Sequence, residues 1–159
     1  MKLIELNKGY YALVDDVDYE WASKFVWRTQ IRYRKDGTIR VIYVQRNEKR
    51  CTIYLHRAGL GVTDTRIQID HKNHDGLDNR RTNLRSTSGT KNQGNRRKQL
   101  GTSSQYKGVF KLSERSWLAY IRHRRLGRFP SELLAAQAYD KAASKYFGEF
   151  ALLNFPQVA

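Results

Sequence analysis

Cysteine is almost missing from this chain of 159 residues; Cys51 stands alone. A single thiol excludes an intrachain disulfide and a cysteine-based zinc knuckle, and it suits a reducing interior. Long apolar runs are missing too. No stretch approaches the roughly 20 consecutive apolar residues of a membrane span, and Met1–Leu6 has no signal-peptide pattern. The expectation is a soluble, intracellular protein. Acidic residues are scarce, 15 Asp and Glu against 30 Lys and Arg, for a net charge of +15. Bases outnumber acids by twelve to seven in residues 1–60, by nine to four in 61–100 and by nine to four in 101–159. Each third is therefore +5, which excludes a basic tail on a neutral domain and favours extended contact with a polyanion. Binding of that kind releases counterions and is strongly salt-dependent. Charge alone would also suit a ribosomal protein or a binder of acidic membranes.

The length allows one compact domain or two small modules, and the pattern divides into zones. Up to about Leu60 the chain reads as short strands. Arg32–Arg34 and Ile39–Val44 flank Asp36-Gly37, a dipeptide that tolerates the positive φ of a tight hairpin turn. Thr52–His56 could add a strand. Acidic residues from Asp15 precede Trp21 and Phe25 at helical spacing, which predicts one short helix. The resulting sheet is either a solvated basic face or a DNA-contacting one. In the next zone, about 61–98, Ile67 and Ile69 alternate with polar residues, so Ile67–His71 reads as a strand. Asp75-Gly76 lies in a polar loop, and Asn83-Leu84 begins a return strand. Beyond Thr87 local propensity favours loop, because Gly89 and Gly94 each weaken a helix by roughly 1 kcal/mol.

Arg96–Gln105 is polar and basic and reads as a linker. After it, Tyr106–Leu112, Ser116–Arg122 and Arg125–Phe129 read as three strands. In the middle strand Trp117, Ala119 and Ile121 share one face, and Leu118, Tyr120 and Arg122 the other. A helix follows Pro130-Ser131, with Ser131 as its N-cap and Glu132 suited to the dipole. Ala135, Tyr139, Ala142 and Tyr146 form a stripe at helical spacing, closed by Gly148.

The chemistry concentrates between Ile69 and Asn95. Hydrolysis of a phosphodiester needs an activated water, a Lewis acid and charge relief on the leaving oxygen. A histidine of near-neutral pKa can take the proton of the water, while a carboxylate and a carboxamide can hold a hard divalent ion. Asp70, His71, Asn83 and Asn92 supply these groups. Taken alone, His71 could equally be an ordinary buried histidine. His74 and Asp75 fit a solvated turn, and His56 fits packing, a backbone bond or a phosphate contact. Arg80, Arg81 and Arg85 could touch phosphate or brace the loop through Asp78.

On LHR at 55–57, IDH at 69–71, LDNRRTNLR at 77–85 and KNQGNRR at 91–97, the chain resembles the HNH endonucleases of the ββα-metal (His-Me finger) fold, especially the phage and intron-encoded homing type. The match covers roughly Tyr54 to Arg97. It implies that His71 is the general base, that Asn83 holds the motif loop and orients that base, and that Asp70 and Asn92 bind Mg²⁺ or Mn²⁺. It also implies a helix after Thr87, against local propensity.

A second resemblance spans Ser104 to Pro156. SQYKGVF at 104–110, WLAYIR at 117–122, LGRF at 126–129 and AAQAYDKAASKYFGEFALLNFP at 135–156 resemble the plant APETALA2/ethylene-response-factor DNA-binding domain. That family lays a three-stranded antiparallel sheet, backed by one helix, into the major groove. The match places Lys107 and Arg122 at DNA-contacting positions, with Arg124 or Arg125 near another; Arg96 and Arg97, in the basic stretch before it, are also expected to bind DNA. Phe110 and Leu112 stand where plant members commonly have arginines, and Tyr120 where they have an acid, so base preference does not carry over. Lys107 and Arg122 could as well touch phosphate as read bases. Trp117 is expected in the core.

The expected fold is α+β: a small β-rich region (1–60) with a ββα-metal nuclease core (61–98), a linker (99–105) and a three-stranded antiparallel sheet on one helix (106–159). The expected function is that of a monomeric endonuclease that nicks double-stranded DNA, of homing or phage HNH type. It would work in the cytoplasm of a bacterial or phage-infected host. The alternatives are a non-catalytic DNA-binding regulator with a decayed nuclease core and, with less support from the motifs, an RNA-binding protein.

Overall fold

A computed structural model describes residues 1–156 and, within them, every side chain but that of Thr90. The last three residues of the expected second domain, 157–159, lie outside the described residues. The described chain is α+β, with several small antiparallel sheets and few helices. It forms two compact units, Met1–Ser88 and Gly89–Ala159.

In the first unit, β1 (Lys2–Glu5) and β2 (Tyr11–Val14) pair antiparallel with Leu3 opposite Leu13. Helix α1 (Asp16–Ala22) starts where the Asp15 carbonyl accepts from the amides of Asp18 and Tyr19, and Asp16 and Asp18 in its first turn complement the dipole. β3 (Arg28–Tyr33), β4 (Ile39–Glu48) and β5 (Cys51–Tyr54) form a sheet in that order. The expected turn at Asp36-Gly37 is present. Gly37 takes φ +81°, and the Asp36 carboxylate accepts from the Thr38 amide at 2.9 Å. Val44 faces a core built with Ile4, Leu6, Ala12, Val14, Ala22, Trp27 and Leu55.

The strand expected to reach His56 stops at Tyr54. Leu55 is drawn into the core, and the chain turns there into α2 (Leu55–Gly59). β6 (Gln68–His71) and β7 (Leu84–Thr87) close the unit as a two-stranded ribbon in which Asp70 lies opposite Arg85 and His71 opposite Leu84.

The second unit begins with α3 (Gly89–Asn92), a single turn. A helix thus follows Thr87, where local propensity favours loop, but it spans only four residues. Residues 99–105, expected as a linker, fall within the second unit. The Gly94 carbonyl accepts from the Leu152 amide at 3.0 Å and from Lys107 Nζ at 2.6 Å, and Ser104 is buried and donates to Glu132. The division between units accordingly falls at Ser88 and Gly89.

β8 (Val109–Ser113), β9 (Ser116–Ile121) and β10 (Arg124–Phe129) form an antiparallel sheet with β9 in the centre, packed on α4 (Glu132–Phe147). β8 starts three residues later than expected, because Gly108 adopts φ +75° against the ring of Tyr139, where a Cβ would collide. Ser131 caps α4 by accepting from the Leu134 amide. The buried face of the helix is Ala135, Ala136, Tyr139, Ala143 and Phe147. Tyr146, expected on that stripe, is instead 53% exposed. Trp117 packs with Val109, Ala119, Ala135 and Ala136, as expected of a core residue.

Candidate functional site

The loop between β6 and β7 is held almost wholly by its own polar side chains. Asn83 is its hub. Its Oδ1 accepts from the Asn73 amide at 3.1 Å, while its Nδ2 donates to Asn73 Oδ1 at 2.9 Å and to the Asp78 carbonyl at 2.8 Å. Asp78 accepts from Asn73 Nδ2 and from Arg80 Nε and its terminal nitrogen at 2.8 and 2.7 Å, and these guanidinium bonds hold its carboxyl below the usual range. Main-chain bonds from Leu13 to Leu77 and from Asn79 to Leu13 pin the loop to β2. Gly76 is required because a side chain there would collide with the Ile42 carbonyl on β4.

This bracing decides the role of the three arginines. Arg80 grips Asp78. Arg81 reaches Asp18 on α1 at 2.8 and 2.9 Å, and its amide donates to Asp15. Arg85 donates twice to Asp70 Oδ2, at 3.0 and 2.8 Å. Each of these three guanidiniums is thus bound to a carboxylate of its own unit.

Asp70 and His71 are consecutive buried residues at the end of β6. The His71 ring lies edge-on to the ring of His56, with centroids 5.1 Å apart, and 6.2 Å from Tyr43. Tyr54 stacks on His56 at 5.4 Å, and its hydroxyl donates to Gln30. Strand alternation puts Gln30, Arg32, Tyr43 and Tyr54 on one face of the β3-β4-β5 sheet, opposite the face that carries Val44 into the core. The aromatic cage around His71 therefore opens onto a sheet face bearing Arg32.

Burial lowers the pKa of His71 below its ordinary value. The nearby Asn79 side chain and the charges of Asp70, Asp75 and Asp78 oppose that shift. Burial, with repulsion from His71 and Arg57, pushes His56 down to about 3, so it is neutral throughout the physiological range. His56 Nδ1 is buried and makes no hydrogen bond among the described residues. At neutral pH the site thus offers an uncharged imidazole in a largely dehydrated pocket, able to accept a proton.

No family model matches the chain, and no solved structure does. It is 37% identical over 99 residues to an uncharacterised HNH endonuclease of Acanthamoeba polyphaga mimivirus, covering 59% of this chain and 50% of the viral protein. It is also 51% identical over 61 residues to a protein of Oryza sativa subsp. japonica described as containing AP2/ERF and B3 domains. That match covers 36% of this chain and 17% of the rice protein. The chain thus spans half, or much less, of the curated relatives that it matches.

Of the expected site residues, Asp70, His71 and Asn83 lie together in the first unit, whereas Asn92 is the last residue of α3 in the second. Asn83 braces the loop rather than His71 itself; the side chain beside His71 is that of Asn79. Asn79 Nδ2 donates to the carbonyls of Gly76 and Leu77 at 3.2 and 3.0 Å. Neither Asn79 nor the cage of His56, Tyr43 and Tyr54 was legible beforehand. Asn79 sits among turn-forming Asn and Asp residues that look alike in sequence, and the tyrosines are distant along the chain. His74 has φ +63° in the turn, and Asp75 accepts from the Leu77 amide. Among the described residues no three His, Cys, Asp or Glu side chains converge.

In the second unit Arg96, Arg97, Arg124 and Arg125 are exposed. Lys107 is half-buried; its ammonium bonds the Gly94 carbonyl and lies 5.8 Å from the Tyr139 ring centroid, and burial lowers its pKa to about 8. Arg122 does not continue the outer face of β9. It takes φ +53° just past the end of the strand, and its guanidinium donates to the Tyr146 hydroxyl on α4 at 2.7 Å. The outer face instead carries Phe110, Leu118 and Tyr120, with Arg125 opposite Tyr120 and Arg128 opposite Leu118. Arg128 was not anticipated.

Proposed function

We propose that this chain is a metal-dependent endonuclease of HNH type that nicks double-stranded DNA, acts as a monomer and works inside a bacterial or phage-infected cell. The observation that carries this reading is His71. Buried, kept uncharged and ringed by aromatic side chains, it follows an acidic residue directly on β6 and opens onto a basic sheet face. The similarity to a viral HNH endonuclease supports the reaction, and the similarity to a plant AP2/ERF protein supports DNA as the partner.

In the proposed reaction a water oxygen bonds to phosphorus as its proton passes to the His71 imidazole. The bond from phosphorus to the leaving sugar oxygen breaks, and that oxygen is protonated in turn. Asn83 keeps the loop rigid, and Asn79 and His56 hold the orientation of the His71 ring. Asp70 offers a carboxylate and Asn92 a carboxamide, donor types suited to Mg²⁺ or Mn²⁺. When bound, such an ion would polarise the phosphate and offset charge on the leaving oxygen. On the second unit, Arg125 and Arg128 beside Tyr120 and Leu118 offer a basic face for the duplex backbone.

The test is a supercoiled-plasmid assay with Mg²⁺ or Mn²⁺, comparing the wild type with His71→Ala. Nicked product from the wild type alone supports the reading. Duplex binding without metal-dependent cutting, on DNA from the source genome as well, would instead favour a DNA-binding regulator with a decayed core.

A further inference from the structure

We propose that Arg85 makes metal binding at Asp70 conditional on DNA. This inference rests on the reading of Asp70 as a metal ligand and adds the device that controls it. Arg85 is no chance surface partner. It lies directly opposite Asp70 in the β6–β7 ribbon, so main-chain register fixes the pairing, and its Nε and one terminal nitrogen both donate to Asp70 Oδ2. The two side chains are only 12% and 10% exposed, so solvent and salt screen their charges weakly.

A guanidinium stays protonated at any working pH. The Asp70–Arg85 pair therefore has no net charge, and a divalent ion reaching Asp70 meets repulsion from Arg85 that cancels much of its attraction to the carboxylate. Among the described residues no group of three or more His, Cys, Asp or Glu side chains gathers to hold an ion. A backbone phosphate brings the missing negative charge and additional oxygen ligands. The ion is then held by Asp70 and the phosphate together, and Arg85 keeps the carboxylate oriented, as groups behind a metal ligand commonly do. The free protein consequently stays largely unloaded until DNA is engaged.

The experiment is a Mn²⁺ titration of the full chain followed by electron paramagnetic resonance. It compares wild type, Arg85→Gln, Arg85→Lys and Asp70→Asn without DNA, then repeats each with a duplex in a His71→Ala background so that the DNA stays intact. Neutral Arg85→Gln is expected to bind Mn²⁺ without DNA at least about tenfold more tightly than wild type, and to lose a similar factor from the enhancement that DNA produces. Arg85→Lys, which keeps the charge, should remain close to wild type. A purely structural role predicts the opposite sign, because loosening Asp70 would weaken the ion in every state.

Unchanged or weaker binding by folded Arg85→Gln overturns the proposal. So does micromolar Mn²⁺ binding by the wild type without DNA, a measurement that does not depend on the variant folding. If Asp70→Asn leaves DNA-dependent Mn²⁺ binding intact, the metal reading of Asp70 itself falls. If that substitution abolishes binding while Arg85→Gln gives no gain, only the role of Arg85 falls.

Discussion

The two units carry similar densities of arginine, but only the first uses part of its set, the arginines of β7 and the loop before it, to hold buried carboxylates. In the first, Arg80, Arg81 and Arg85 each hold a buried carboxylate, those of Asp78, Asp18 and Asp70. In the second, Arg96, Arg97, Arg124, Arg125 and Arg128 are exposed. The contrast follows from how each unit is held together. The second has a continuous apolar contact between a sheet and a 16-residue helix, so its charged side chains are free to face outward. The first positions its site on a two-stranded ribbon and a long polar loop, which offers little apolar surface, so ion pairs and carboxamides supply the rigidity. Eight of the twelve buried polar side chains among the described residues belong to the first unit. An even spread of charge along the sequence thus conceals two different uses of it.

The strongest test of that division is chemical. His71→Ala should lower cleavage by about a hundredfold or more while leaving duplex affinity within a few fold. Plasmid nicking and gel-shift assays on the same preparations check this, and a parallel loss of both would show that His71 serves the structure instead. Asn83→Ala strips three hydrogen bonds from the loop and should cost about 3 kcal/mol, read by thermal melting. A loss below about 1 kcal/mol would mean that the loop is held by the arginines rather than by its carboxamides.

Acid should separate the units. In the folded state His56 titrates at about 3 instead of 6.5, so the unfolded chain takes up the proton first as pH falls. Stability of the first unit is then full above about pH 6.5 and declines toward about pH 3, at about 1.4 kcal/mol per pH unit for this group. The lowered pKa of His71 acts in the same direction. The histidine of the second unit, His123, is exposed. Hydrogen exchange at pH 7 and pH 5 should show protection lost preferentially in residues 1–88, and equal loss in both units would contradict the comparison.

The smallest effect concerns salt. Arg125→Ala with Arg128→Ala should flatten the salt dependence of duplex affinity by about 0.9 in log–log slope for each phosphate contact removed. Arg80→Ala should leave that slope unchanged and lower the melting temperature instead, since Asp78 would remain buried without its guanidinium. If Arg80→Ala alters the slope, the inward role assigned to Arg80 is wrong.

Much of this was legible from residue order. The Asp36-Gly37 turn, the alternation along Ser116–Ile121 and the Ser131 cap are local patterns, set by backbone φ, strand period and a single hydrogen bond. The proximity of Asp70, His71 and Asn83 followed from motif spacing. The misplaced features depend on what lies across the fold. β5 ends at Tyr54 because the core claims Leu55, and β8 starts late because Gly108 meets Tyr139. Arg122 leaves the outer face because the strand has already ended and Tyr146 offers an acceptor.

Residue order alone accounts for the basic charge, the α+β alternation and the grouping of an acid, a histidine and an asparagine in one motif, because each is set by composition or short-range spacing. Packing across the fold selects which arginines brace carboxylates, sets His56, Tyr43 and Asn79 beside His71, and assigns Asn92 to the second unit. Those outcomes depend on partners tens of residues away, and a side chain chooses among such partners only when burial removes water as the alternative.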